Sequence, residues 1–407
     1  MKIDRAGFWK SDWFLGVAVS IAILIAGGSD LLQSLERKAY DLAVGMVSRQ
    51  PSDKIAVIAI DKQSIDNIGR WPWSREIQAE MIEKLAAAKA KVIATTVFYS
   101  EPQLDAGLGY VNKLIGIYGE AGGLPLTATP EELSAQPALL GQMAPVLAEA
   151  EQKLNTDRRL AAAIGEAGNV ALPMLFRFGE PLGRPDKDLP EYIQKYAVKG
   201  AGGDIAPVSV MDVDAGVLEP LGRNAAVIGH LDATFDVDGA IRTEPLLVNY
   251  FGQLYPSLSL LVAAKSLNLT PADILAGNES VKLGRLKIGT DPALRMYTFF
   301  YKDRDAGQPA FPVDSFFDVK TGKIPMEKYR DKIVLIGPTA AGVGSTFVTP
   351  VSAATPSVLL LAHTISSVLS EHFFVAPSWG IWVELAVFLL VAAYLVALLP
   401  RLKAGTA

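Results

Sequence analysis

Long uncharged runs stand at both ends of the chain, and between them short β-branched runs alternate with amphipathic stretches. From Trp13 to Ser29 no residue is charged, which predicts a helix of about 17 residues, just enough to cross a hydrocarbon core. Ser378 to Leu399 predicts a second span, broken only by Glu384 and opened by Trp379 and Trp382, where an aromatic interfacial belt belongs. Glu384 lies near the outer end of that span and is assigned to the interface.

Residues 54–61, KIAVIAID, read as a buried strand ending in an acid, and residues 76–90 repeat their apolar positions at helical spacing. Residues 91–99, KVIATTVFY, supply the next strand, so the opening is a βαβ unit of the kind that builds parallel sheets. Further strands are expected at 169–176, 225–231, 241–250, 295–301 and 332–337, with a helix at 357–370. The predicted class is α/β: a sandwich-like domain with a helical insertion, flanked by transmembrane helices. The insertion covers about 103–165, rich in Ala, Leu, Gln and Glu, with helices at 130–140 and 148–164. Residues 179–203 are dense in Pro, Gly, Lys and Asp and read as an exposed loop.

The organisation that follows is a cytoplasmic start (1–12), a first span (13–32), an extracytoplasmic domain (33–377), a second span (378–399) and a cytoplasmic tail (400–407). Lys2, Arg5 and Lys10 before the first span, and Arg401 and Lys403 after the second, put both termini in the cytoplasm. The leader charges also fit a cleaved signal peptide. No Ala-x-Ala site follows, however, and residues 31–47 continue as an amphipathic helix, so an uncleaved anchor is expected.

Charge and residue types narrow the chemistry. With 38 basic and 43 acidic residues the net charge is −5, which offers no field for a nucleic-acid backbone. The chain has no cysteine, which removes disulfides, thiolate nucleophiles and cysteine metal sites together and suits an oxidising compartment. His230, His363 and His372 lack the spacing and adjacent acids of a zinc site, and no G-x-S-x-G elbow occurs. No cofactor and no metal are expected.

Three loops remain as candidates. Gly337 to Gly342 has the G-x-x-x-x-G frame of a phosphate-binding loop, but Val343 and Gly344 replace the Lys and the Ser or Thr that nucleotide hydrolysis needs. Its backbone amides can still meet an anion or a small ligand; otherwise the segment is a plain turn. Asp236 to Gly239 signals a tight turn rather than a calcium loop, because Pro245 stands where a bidentate acid is required, and Arg242 is expected to pair with a nearby Asp. The run Gly69-Arg-Trp-Pro-Trp-Ser-Arg75 either locks a βα loop onto the domain or rims a pocket at the carboxyl ends of the strands. In the second case Asp61, Arg70, Trp71, Trp73 and Arg75 face Thr339, Gly342 and Gly344, with His363 as a further ligand contact.

That tryptophan run, together with VFYSEP (97–102), DVDGAIR (236–242), LYPSLSL (254–260), FPVDSFFDV (311–319) and KIVLIGPTAAGV (332–343), resembles the type-two CHASE domain. The likeness covers about 35–379. It departs from the family pattern at Thr95-Thr96, where an acid often precedes Val-Phe, and at Ser345, where Asp is common. The resemblance implies an extracellular sensory module of a bacterial receptor in the inner membrane, with the domain in the periplasm. It also implies further transmembrane helices and a kinase or nucleotide cyclase output past residue 407. The expected partners are a small-molecule or envelope-protein signal, the membrane and a second copy in a homodimer or higher oligomer. Two other readings stay open: a membrane-anchored envelope scaffold or protein-interaction module, and a periplasmic enzyme, which would need a cluster of acids and histidines.

Overall fold

The computed structural model describes residues 12–27, 30–103, 105–181, 183, 188–198, 200, 205–304, 308–375 and 379–398. Two compact units divide the chain, one of residues 49–374 and one built from its two ends.

The larger unit is organised by a sheet with nine strands among the described residues. Its first members are β1 (Ile55–Ile60), β2 (Val92–Thr95), β3 (Val170–Phe178), β4 (Val208–Ala215) and β5 (Val227–His230). β6 (Thr243–Pro245) belongs to a smaller sheet, whereas β7 (Leu247–Tyr250) and β8 (Gln253–Pro256) return to the large one. A separate meander follows in β9 (Ile274–Gly277), β10 (Ser280–Leu283) and β11 (Leu286–Gly289). β12 (Arg295–Thr298) joins β6, and β13 (Val313–Ser315) and β14 (Ile333–Pro338) complete the large sheet. β15 (Thr346–Thr349) and β16 (Ser352–Pro356) form a hairpin, and β17 (Phe373–Phe374) pairs with β12.

The order β13-β1-β14-β2-β3 is parallel throughout, and all six residues of β1 are buried. A continuous β-branched run is what a strand covered on both faces requires. Register brings Ile60 opposite Pro338, Ile336 opposite Thr95, and Met174 opposite His230, so the carboxyl ends of β1, β14, β2 and β5 face the same way. β3 is longer than its neighbours: its first half pairs with β2 and β5, and from Leu175 it pairs antiparallel with β4 through two irregularities. β5 ends at His230, so β3 and the chain after β5 part at this level.

The helix Arg75–Ala87 packs against Thr156–Ala167, and Leu258–Ser266 packs against Ser357–Ser370. Leu258–Ser266 is buried from Leu258 to Ala264, and its N-terminus is capped by the Ser257 hydroxyl. Gly337 permits this layer to close: a Cβ there would come within 2.2 Å of the Thr96 hydroxyl and 2.7 Å of Val358 Cβ.

Several expectations need correction. The helical lobe consists of Ala106–Glu120, Pro130–Ser134 and Ala138–Leu154 around Tyr118, Ala144 and Leu147. The helix predicted at 148–164 is two helices, separated at Asn155, whose side chain accepts from the Arg158 amide at 3.0 Å. The second of them buries Leu160, Ala161, Ala163 and Ile164 in the main core, so it completes the βαβ layer and is no part of the insertion. The loop expected at 179–203 contains the short helix Glu191–Gln194 and buries Leu189, Ile193, Tyr196 and Val198. Residues 182, 184–187, 199 and 201–204 of that loop lie outside the described residues. The strand predicted at 241–250 switches sheets at Leu246, with β6 pairing with β12 and β7 with β4 and β8.

In the smaller unit, among the described residues one helix, Gly380–Ala397, is long and apolar enough to cross a membrane. Asp12–Gly27 is apolar but shorter, and Asp30–Met46 is amphipathic. A Cβ on Gly16 would meet the Leu395 carbonyl oxygen at 2.6 Å, so the glycine lets two backbones approach closely. Lys2, Arg5, Lys10, Arg401 and Lys403 lie outside the described residues.

Candidate functional site

A cavity of about 370 Å³ opens where the strands end. Thr96 to Phe98 after β2, Pro338 at the end of β14, Leu231 to Ala233 after β5, and Leu175 where β3 diverges all line it. Ligands in parallel sheets are received at this end, where the chain leaves each strand and loops can close over a crevice. Trp71 and Pro72, joined by a cis peptide, form one wall, and the loop from Val343 to Phe347 forms another. Ser357, Leu360, Leu361 and Thr364 lie on one face of the Ser357–Ser370 helix and make a third. Ile241, Glu244 and Thr298 come from β6, β12 and the segment before β6.

Two carboxyl groups face this mostly apolar space. Asp232 is buried, and its Oδ2 accepts the Phe176 amide at 3.0 Å, replacing a ladder bond just where β3 and β5 part. Burial pushes its pKa up to about 7; the Phe176 amide opposes the shift and nearby Asp214 adds to it. Glu244 accepts from the Ser259 hydroxyl, and its pKa is also raised, chiefly by burial, against the hydroxyls of Ser259, Thr364 and Ser257. His230 Nδ1 stands 3.5 Å from Asp232 Oδ2, but burial pushes this imidazole down to about 3, so at neutral pH it brings no positive charge. Thr96 and Thr298 are among the lining residues, and their hydroxyls are buried and have no hydrogen-bond partner.

The residues singled out from sequence fall into three groups. Trp71 and Gly344 line the cavity. Trp73 lies behind Trp71, edge-on at 5.1 Å between ring centres, and packs on Phe316; its indole donates to the Gly69 carbonyl at 2.7 Å. Asp61 caps the helix Lys62–Ile68 and accepts from the Ser64 and Ser315 hydroxyls at 2.6 and 2.9 Å. Arg75 is buried, donating to Asp157 and to the Glu101 carbonyl, with its guanidinium over the Tyr99 ring at 5.3 Å. It ties both ends of the helical lobe to the sheet rather than facing a ligand. Arg70 and Gly342 are exposed, and neither they nor Thr339 line the cavity.

His363 is placed away from the cavity. It is buried among Phe300, Tyr301 and Phe311, its Nδ1 accepts the Tyr301 amide at 3.1 Å, and burial pushes its pKa down to about 3. Arg242 meets the expectation made for it, donating to Asp236 Oδ2 at 2.6 Å and to Asp238 Oδ1 and Oδ2 at 3.0 and 2.9 Å. Gly239, at φ +78°, makes the turn that brings the two acids together.

Asp232, Glu244, Thr298 and the face of Ser357–Ser370 were not picked out from sequence. The available signal was an acid set in an apolar run, as in HLDATF (230–235) and TEPLLV (243–248). Thr96 and Ser345, both noted as departures from the family pattern, prove to be cavity residues.

The CHASE2 domain family model matches residues 15–398, and the chain belongs to that family. CHASE2 domains are extracellular sensor domains of signalling receptors, so the family is sensory rather than catalytic. No curated protein and no solved structure matches the chain.

Proposed function

We propose that this chain is the extracytoplasmic sensing and transmembrane part of a bacterial receptor, and that the cavity receives its signal. The observation that carries the reading is the double position of the Ser357–Ser370 helix. Its first two turns line the cavity, and down the chain it leads through β17 to the apolar helix starting at Gly380. A molecule that fits the cavity differently in two positions of that helix shifts the population between them, which is all that signalling requires of binding. The domain faces the periplasm, both termini face the cytoplasm, the receptor works as a homodimer or higher oligomer, and a kinase or cyclase supplies the output.

Alkaline phosphatase fused after Ser257 is expected to be active, and fused after Lys403 inactive; the reverse pattern overturns the topology. Reading the gene past codon 407 tests the output: further apolar spans and a kinase or cyclase support the reading.

One observation favours a second reading, an interaction module. Tyr110, Leu114 and Ile117 lie on one face of Ala106–Glu120 and are 69%, 46% and 59% exposed. If deleting residues 106–154 abolishes oligomerisation while the rest stays folded, that reading gains.

A further inference from the structure

The cavity's charge is one-sided. Its lining includes Asp232 and Glu244 and no lysine, arginine or histidine. Among the described residues no lysine or arginine forms an ion pair with either acid, and Oδ1 of Asp232 accepts no hydrogen bond. Carboxyl groups removed from water without a counter-charge are costly when ionised, and they are relieved by a proton or by a cation brought from outside. A second feature is independent of the acids. Two further lining residues, Thr96 and Thr298, 5% and 0% exposed, carry buried hydroxyls with no hydrogen-bond partner, and a buried hydroxyl without a partner is a group awaiting one.

The remaining wall selects the rest of the ligand. Trp71, Phe98, Phe347, Leu175, Leu231 and Leu361 present apolar surface, and the volume falls in the range of small-molecule sites, roughly 300–1,000 Å³. A bare divalent ion would leave that surface wet, and no cluster of three or more metal-ligating side chains occurs among the described residues.

We propose that the cavity binds a small amphipathic amine, with its ammonium group held by the Asp232 and Glu244 carboxylates and its apolar body against Trp71, Phe98 and Leu361. This deepens the sensory reading and rests on it, naming the class of signal. Aromatic walls favour such a cation further, through the negative face of the ring. The groups facing Asp232 are the Phe176 amide, neutral His230 and Asp214; those facing Glu244 are the hydroxyls of Ser257, Ser259 and Thr364. None supplies a competing positive charge.

The test is calorimetric titration of the full chain in lipid nanodiscs with hexylamine, 2-phenylethylamine and tryptamine, each against the alcohol of the same skeleton. At least one amine is expected to bind about tenfold or more tighter than its alcohol, and Asp232→Asn or Glu244→Gln to remove that margin. Leu361→Trp fills the cavity without touching the acids and abolishes binding, which also subtracts partitioning into lipid. Amine affinity is expected to rise between about pH 6 and 8, as Asp232 gives up the proton that burial holds on it to about 7. Equal affinity for the alcohols, undiminished binding by both acid variants, binding that weakens over that pH range, or a response to calcium chloride and to no amine overturns the proposal. The phosphatase fusions involve no ligand, so failure here and failure of the sensory topology are separately visible.

Discussion

Two pairs of carboxylates flank the same short stretch of chain and are treated in opposite ways. Asp236 and Asp238 stand at a turn, with side chains 33% and 40% exposed, and buried Arg242 donates to both. Asp232 and Glu244 face the cavity with only hydroxyl and amide donors. The first pair is an internal clamp: its charge is matched within the chain, and its role is to hold the turn. The second pair is left unmatched, which costs the folded state and makes sense where a partner comes from outside. A residue type thus says little until its counter-charge has been located.

The largest expected effect breaks the clamp. Arg242→Ala removes the cation between two acids and should lower unfolding free energy by about 2–3 kcal/mol, discounted for the exposure of both acids. A lower denaturant midpoint at unchanged slope would show it. His363→Phe comes next, since it strips the Tyr301 amide of its acceptor at a cost of about 1–3 kcal/mol. Because the folded-state pKa of His363 lies near 3, below its ordinary 6.5, the wild type loses stability as pH falls through that window. The variant should show a shallower acid slope in melting temperature between those limits.

The unmatched pair predicts a gain. Asp232→Asn keeps an acceptor for Phe176 and removes the ionised form, so above about pH 7 the variant should be more stable than wild type by about 1–2 kcal/mol. A raised carboxyl pKa penalises the fold as pH climbs from the ordinary 3.8 to about 7, so the advantage should vanish below about pH 4. A loss of stability at high pH would mean that an unseen cation already pairs with Asp232. The smallest effect is expected from Thr298→Val, within about 1 kcal/mol, because this hydroxyl has no partner to lose. A larger cost would show that it is bonded and weaken the case for an open cavity.

The parallel half of the fold was legible in advance. KIAVIAID, KVIATTVFY and KIVLIG read as buried strands, and they pair side by side as β1, β2 and β14. The wing was not: β4, VSVMDVDA, buries only Val210 and exposes Met211, Asp212 and Asp214, and β9 to β11 are four-residue strands whose pairing carries most of their signal. The boundary of the insertion was missed because composition does not distinguish a helix on the lobe from one on the sheet. Leu160 and Ile164 are apolar in either setting, and only their burial against the main core assigns them.

By itself, the sequence determined the family, the apolar ends, the α/β alternation and the clamp of Arg242 on the Asp-x-Asp-Gly turn. These depend on periodicity and on partners a few residues apart, which local order preserves. Tertiary structure decided that Trp73, Arg75 and His363 serve the framework, and that Asp232, Glu244, Thr96 and Thr298 converge on one cavity. Those roles depend on burial and on contacts between distant segments, and neither is encoded at any single position.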